Sequence, residues 1–110
     1  MNQKLQNSLL LGLAATTVML ATPPALASEA IVKKARCVAC HATDQKRVGP
    51  SYKEVAAKYK GDAKAPAMLF DKVRHGGAGN WGQVPMIPHP ADKIGDDDLK
   101  AAIAWILALE

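Results

Sequence analysis

The sequence predicts an all-α domain of four short helices, and three observations carry that prediction. Apolar residues recur every three or four positions in four separate stretches. Each stretch is bounded by a start or stop residue that a helix would choose. Nowhere does a run of β-branched and aromatic residues alternate with polar ones, as a half-buried strand would require.

The first helix is expected to run from Glu29 towards Cys40, capped by Ser28, with Ile31, Val32 and Ala35 at helical spacing. Gly49-Pro50 breaks the chain. Ser51-Tyr52-Lys53-Glu54 is a capping box that opens a second helix through Lys60, stopped by Gly61, with Val55, Ala56 and Tyr59 as its apolar stripe. Pro66 suits the first turn of a third helix, in which Leu69, Phe70 and Val73 face inward before Gly76-Gly77 ends it. Asp96, Asp97 and Asp98 put negative charge at the start of the last helix, where Leu99, Ala102, Ile103, Ile106 and Leu109 form the inner face. Between the last two helices lies a glycine- and proline-rich loop, Gly76 to Gly95. Its Gly77-Ala78-Gly79-Asn80-Trp81-Gly82 formally matches G-x-G-x-x-G. A dinucleotide fingerprint needs a strand before it and a helix after it, whereas here a helix precedes and Pro85, Pro88 and Pro90 follow.

Residues 1–27 read as an export signal rather than part of the domain. Lys4 supplies the positive start, Leu9 to Ala21 is almost free of polar groups, and Ala25-Leu26-Ala27 is a small-x-small cleavage signature. The apolar run is shorter than the roughly 20 residues a membrane span needs, and Pro23-Pro24 ends it. The expected mature chain is therefore residues 28–110, exported, without membrane insertion and monomeric by default. A domain that small buries a modest share of its surface and commonly needs a staple. Its basic residues crowd its front half, with eleven basic and four acidic side chains from Lys33 to Arg74. That asymmetry suits docking to an acidic partner or simple solvation of helix faces. Nucleic-acid binding is disfavoured, because stacking aromatics do not interleave with the cations.

Cys37-Val38-Ala39-Cys40-His41 gives the chain its chemistry. C-x-x-C-H is the pattern of c-type haem attachment. One helical turn separates the thiols, so each can reach one vinyl group of the same porphyrin edge, and the following imidazole can bind the iron. A covalent haem would also supply the staple that a small domain lacks. The same two thiols could instead cycle as a haem-free dithiol, but the βαβ setting of such motifs is missing. A structural zinc site fits poorly with two cysteines. For the second axial ligand the candidates are Met68, Met86, His75 and His89. Met68 reads as helix packing and His75 as a C-terminal helix charge. Met86, stiffened by Pro85, is the preferred ligand, and His89 is its rival in the same loop.

The segments Arg47-Val48-Gly49-Pro50-Ser51-Tyr52-Lys53-Glu54-Val55, Trp81-Gly82-Gln83-Val84-Pro85-Met86 and Ala104-Trp105-Ile106-Leu107, taken with the haem motif, resemble the small bacterial class I cytochromes c of the cytochrome c-551 type. The likeness covers nearly all of residues 28–110. It implies short helices wrapped around one covalently bound haem c, with Cys37 and Cys40 as attachment points and His41 and Met86 as axial ligands. It also implies that the backbone carbonyl of Pro50 fixes His41, and that Trp81 and Arg47 contact the haem propionates. In the family Pro-Pro-Asn commonly follows the methionine; here Ile87-Pro88-His89-Pro90 stands there, and the connection to the last helix is longer. The implied function is that of a soluble periplasmic electron carrier rather than an enzyme. Its implied partners are redox proteins met by transient docking, such as a bc1-type complex upstream and a nitrite reductase or terminal oxidase downstream. The competing class is a catalytic or gas-binding haem protein with a labile sixth site.

Overall fold

A computed structural model describes residues 14–21 and 23–110. Residues 14–21 are exposed and have no regular structure, whereas the first thirteen residues of the expected export signal lie outside the described residues. Four helices follow: α1 (Pro24–Lys34), α2 (Tyr52–Lys58), α3 (Ala65–His75) and α4 (Asp96–Leu107). A short 3-10 turn, Cys37–Ala39, lies between α1 and α2.

The first helix departs from expectation at both ends. It begins at Pro24, because proline fits the first helical turn, where its missing N–H is no loss. Ser28 therefore lies inside the helix, buried, and does not cap it. It stops at Lys34, short of Cys40, because Arg36 adopts a left-handed backbone (φ 62°) that no α-helix continues through.

The other helices start where their caps place them. Ser51 Oγ accepts the Glu54 N–H at 3.1 Å while Glu54 Oε2 accepts the Ser51 N–H at 2.7 Å, so both halves of the capping box form. Pro66 occupies the first turn of α3, and Gly76 ends it at φ 69° and ψ −154°, a conformation open essentially to glycine alone. α4 follows Gly95 and carries Asp96, Asp97 and Asp98 in its first turn.

Contrary to the expectation of no strands, the glycine-rich segment forms an antiparallel hairpin: β1 (Gly77–Gly79) and β2 (Gly82–Met86). Gly77 pairs with Met86 and Gly79 with Gly82, with an irregular register between them. Gly77, Gly79 and Gly82 all have φ above 100°. The hairpin is built on backbone freedom rather than on β-forming side chains, and the chain remains mostly helical.

α4 packs against α1, α2 and α3 and so organises the core. Val32, Tyr52 and Ala102 form one buried cluster, edged by Ile31, Cys37, Trp105, Ile106 and Leu109. Ile94, Leu99 and Ile103 form a second, edged by Leu69, Phe70 and Val73 of α3. No helix among the described residues is long and apolar enough to cross a membrane.

Candidate functional site

The left-handed Arg36 turns the chain out of α1 and straight into a tight helical turn. The Cys40 and His41 N–H groups both donate to the Cys37 carbonyl, at 3.1 and 2.9 Å. Both thiols are free and half-buried. Burial pushes the Cys37 thiol above its ordinary pKa, and a local backbone hydrogen bond partly opposes the shift.

The His41 ring is held from one side. Its Nδ1 donates to the Pro50 carbonyl at 2.7 Å, which fixes the tautomer and leaves Nε2 as the nitrogen with a free lone pair. The loop 42–50 is folded back to make this contact: Gly49 N–H donates to the Cys40 carbonyl at 2.9 Å, and Arg47 N–H to the Gly49 carbonyl at 3.0 Å. Gly49 lies so close to the imidazole that an added Cβ would overlap it, falling 2.9 Å from Nδ1 and 3.0 Å from Nε2. Tyr52 stacks on the ring at 5.7 Å between centroids and meets Trp105 edge-on at the same separation. Its hydroxyl is buried with no partner among the described residues. Burial, and next the neighbouring Cys37 sulfur, raise its pKa well above the ordinary phenolic value.

The remaining sequence-predicted residues occupy two places. The Arg47 side chain is exposed, with Nη1 3.5 Å from the Val38 carbonyl, beside the cysteine turn. Trp81 and Met86 belong to the hairpin: Trp81 at its tip, 41% exposed, and Met86 half-buried at the end of β2. Lys58 of α2 ties the tip down, donating to the Asn80 carbonyl at 2.6 Å while its Nζ lies 4.4 Å from the Trp81 ring centroid. Cys37, Cys40, His41 and Pro50 thus converge through direct contacts, and Met86 and Trp81 share a second element. His89 packs with α3, its N–H donating to the Val73 carbonyl at 2.8 Å and its Nδ1 buried without a partner among the described residues. Arg74, which no motif singled out, binds this same segment, and its partners lie too far along the chain for any spacing rule to reveal them.

These residues fit a covalent porphyrin. Two free thiols sit one turn apart, an imidazole beside them has one nitrogen committed to a carbonyl, and glycine leaves room for its ring. Among the described residues no three His, Cys, Asp or Glu side chains cluster as a metal cage. Large apolar side chains, among them Val48, Trp81, Val84 and Ile87, remain substantially exposed.

Comparison with known proteins points the same way. The cytochrome c family model matches residues 25–110. The chain is 48% identical to cytochrome c-551 of Allochromatium vinosum over 95 residues, covering 86% of this chain and 99% of that protein. It is 49% identical to cytochrome c2 of Rubrivivax gelatinosus over 87 residues, covering 79% of this chain and 96% of that one. The crystal structure of Nitrosomonas europaea cytochrome c552 superposes with a TM-score of 0.69 at 41% identity, over 74% of this chain and 99% of that one.

Proposed function

Because this chain belongs to the cytochrome c family, a family of monohaem electron carriers with one covalent haem c, we propose that it shuttles single electrons between respiratory redox proteins of the periplasm. The haem, when bound, supplies one iron that gains or loses a single electron. Every further element of the reading concerns what the chain does around it. Cys37 and Cys40 would hold the group covalently, and His41 and Met86 would ligate its iron.

The observation that carries this reading is the 2.7 Å hydrogen bond from His41 Nδ1 to Pro50 O, directly after the paired thiols. A carbonyl acceptor of this kind behind the ring fixes the imidazole and makes its other nitrogen the stronger donor. With His41 and Met86 both committed to the iron, the chain would exclude substrate from the metal, which is the requirement of a carrier and not of an enzyme. Methionine opposite histidine favours the reduced state. Trp81 and Arg47 are proposed as partners for the propionates; the support for Trp81 is an indole held at the hairpin tip by Lys58, and for Arg47 its place beside the cysteine turn.

Residues 1–27 are proposed to be removed on export, supported by the apolar run and the small-x-small signature. The mature chain then docks briefly, as a monomer, with larger redox enzymes. Donors such as a bc1-type complex and acceptors such as a nitrite reductase or terminal oxidase suit a small basic carrier of this family.

Absorption spectra of the exported protein, oxidised and reduced, test the proposal. The expected oxidised spectrum is low-spin with a weak thioether-to-iron band in the far red, and Met86→Ala abolishes that band. A high-spin wild-type spectrum, with fast carbon monoxide binding to the reduced protein, would instead identify an open sixth site. Survival of the far-red band in Met86→Ala would remove Met86 from the ligand set.

A further inference from the structure

The segment after Met86 is held by the last turn of α3, and one side chain does most of the holding. Arg74 Nη1 donates to the His89 carbonyl at 3.0 Å and to the Ile94 carbonyl at 2.6 Å, while Nη2 pairs with Asp96 at 2.5 Å. The guanidinium also lies 5.0 Å from the Phe70 ring centroid. The Arg74 side chain is 11% exposed, so its two carbonyl partners meet a largely desolvated cation. A single residue therefore clasps the connection between Met86 and α4 at both of its ends.

Its neighbours reinforce the clasp. The Val73 carbonyl accepts the His89 N–H at 2.8 Å. Gly76 packs its backbone directly on the Met86 carbonyl, and an added Cβ would also fall 2.9 Å from Pro88 N. Between Met86 and His89 stand Ile87 and Pro88 alone, and proline has a fixed φ. Met86 and His89 are thus joined by a short link with one backbone dihedral fixed.

We propose that Arg74 is the positioning residue for Met86: by fixing the His89 and Ile94 carbonyls to α3, it holds the thioether in place against the metal. The inference rests on Met86 being the axial ligand. It also accounts for how the ligand is steadied where the Asn that commonly follows the methionine in similar sequences is replaced by Ile87-Pro88-His89-Pro90 and a longer connection. Arginine is required because its planar fork serves three acceptors at once, whereas lysine offers a single compact head.

The test uses the holoprotein in four forms: wild type, Arg74→Lys, Arg74→Met, and Gly61→Ala. The last strains an exposed turn at φ 75° with nothing within 4 Å of the new Cβ, so it lowers stability without touching the Met86 segment. Far-red band intensity, carbon monoxide binding to the reduced protein and amide exchange at His89 are measured at a temperature where circular dichroism shows each form folded. Arg74→Met is expected to lose most of the band, bind carbon monoxide roughly tenfold faster and expose the His89 amide, the scale at which losing the hydrogen bonds behind a ligand weakens metal ligation. Arg74→Lys falls between it and wild type, and Gly61→Ala matches wild type. If Arg74→Met does not fold, the Arg74→Lys result decides. Folded Arg74 variants with a wild-type band and wild-type carbon monoxide kinetics overturn the inference. A wild-type protein with no far-red band overturns the Met86 assignment itself, and the inference with it.

Discussion

A methyl group at Gly49 has nowhere to go, because the His41 ring already occupies the space it would need. Gly49→Ala should therefore push the imidazole off the Pro50 carbonyl. The expected cost is about 1–3 kcal/mol, the usual range for overpacking a tight site, read as a lower denaturant midpoint with an altered histidine environment in the NMR spectrum. This constraint is tertiary, yet it sits beside a motif that was legible at once. The haem-binding pattern could be read because its residues are neighbours in sequence and their spacing is itself the chemistry. Arg74 could not, because its partners lie 15, 20 and 22 positions away. Arg36 was equally hidden, since its left-handed backbone belongs to a residue type that rarely adopts it.

Among the elements, α2 is the shortest helix and depends most on its start. Ser51→Ala removes the acceptor for the Glu54 N–H and should cost about 1 kcal/mol, measurable by chemical denaturation. Replacing exposed Lys60 by alanine should change the midpoint little by comparison. Local chemistry of this kind explains why α2, α3 and α4 were readable: the capping box, Pro66 and the aspartate run each act within one turn of the backbone they organise. α1 was misjudged because proline and serine are both good helix-start residues, and Pro24 comes first in the chain. The hairpin was invisible for a different reason. Its strands rest on three glycines with positive φ, and glycine reads as loop when only side-chain alternation is counted.

For the whole molecule the decisive fact is how little protein core there is. Among the described residues eight hydrophobic side chains are buried, and three of them are alanines. A chain of this size cannot offset its conformational entropy on so small a core without additional support. The double variant Cys37→Ala/Cys40→Ala, unable to attach the haem covalently, should lose its cooperative thermal transition by circular dichroism near room temperature. A sharp transition close to that of the wild-type holoprotein would show that the polypeptide core suffices by itself. The sequence conveyed the scale of this need through length and cysteine count. It could not convey which helix gathers the core, because that depends on packing between segments far apart in the chain.

α4 contributes residues to both buried clusters, and α1, near the other end of the domain, packs directly against it. Neither cluster can close before residues 96–107 have left the ribosome. Throughout translation the growing chain thus lacks both clusters, and folding is deferred until α4 meets α1.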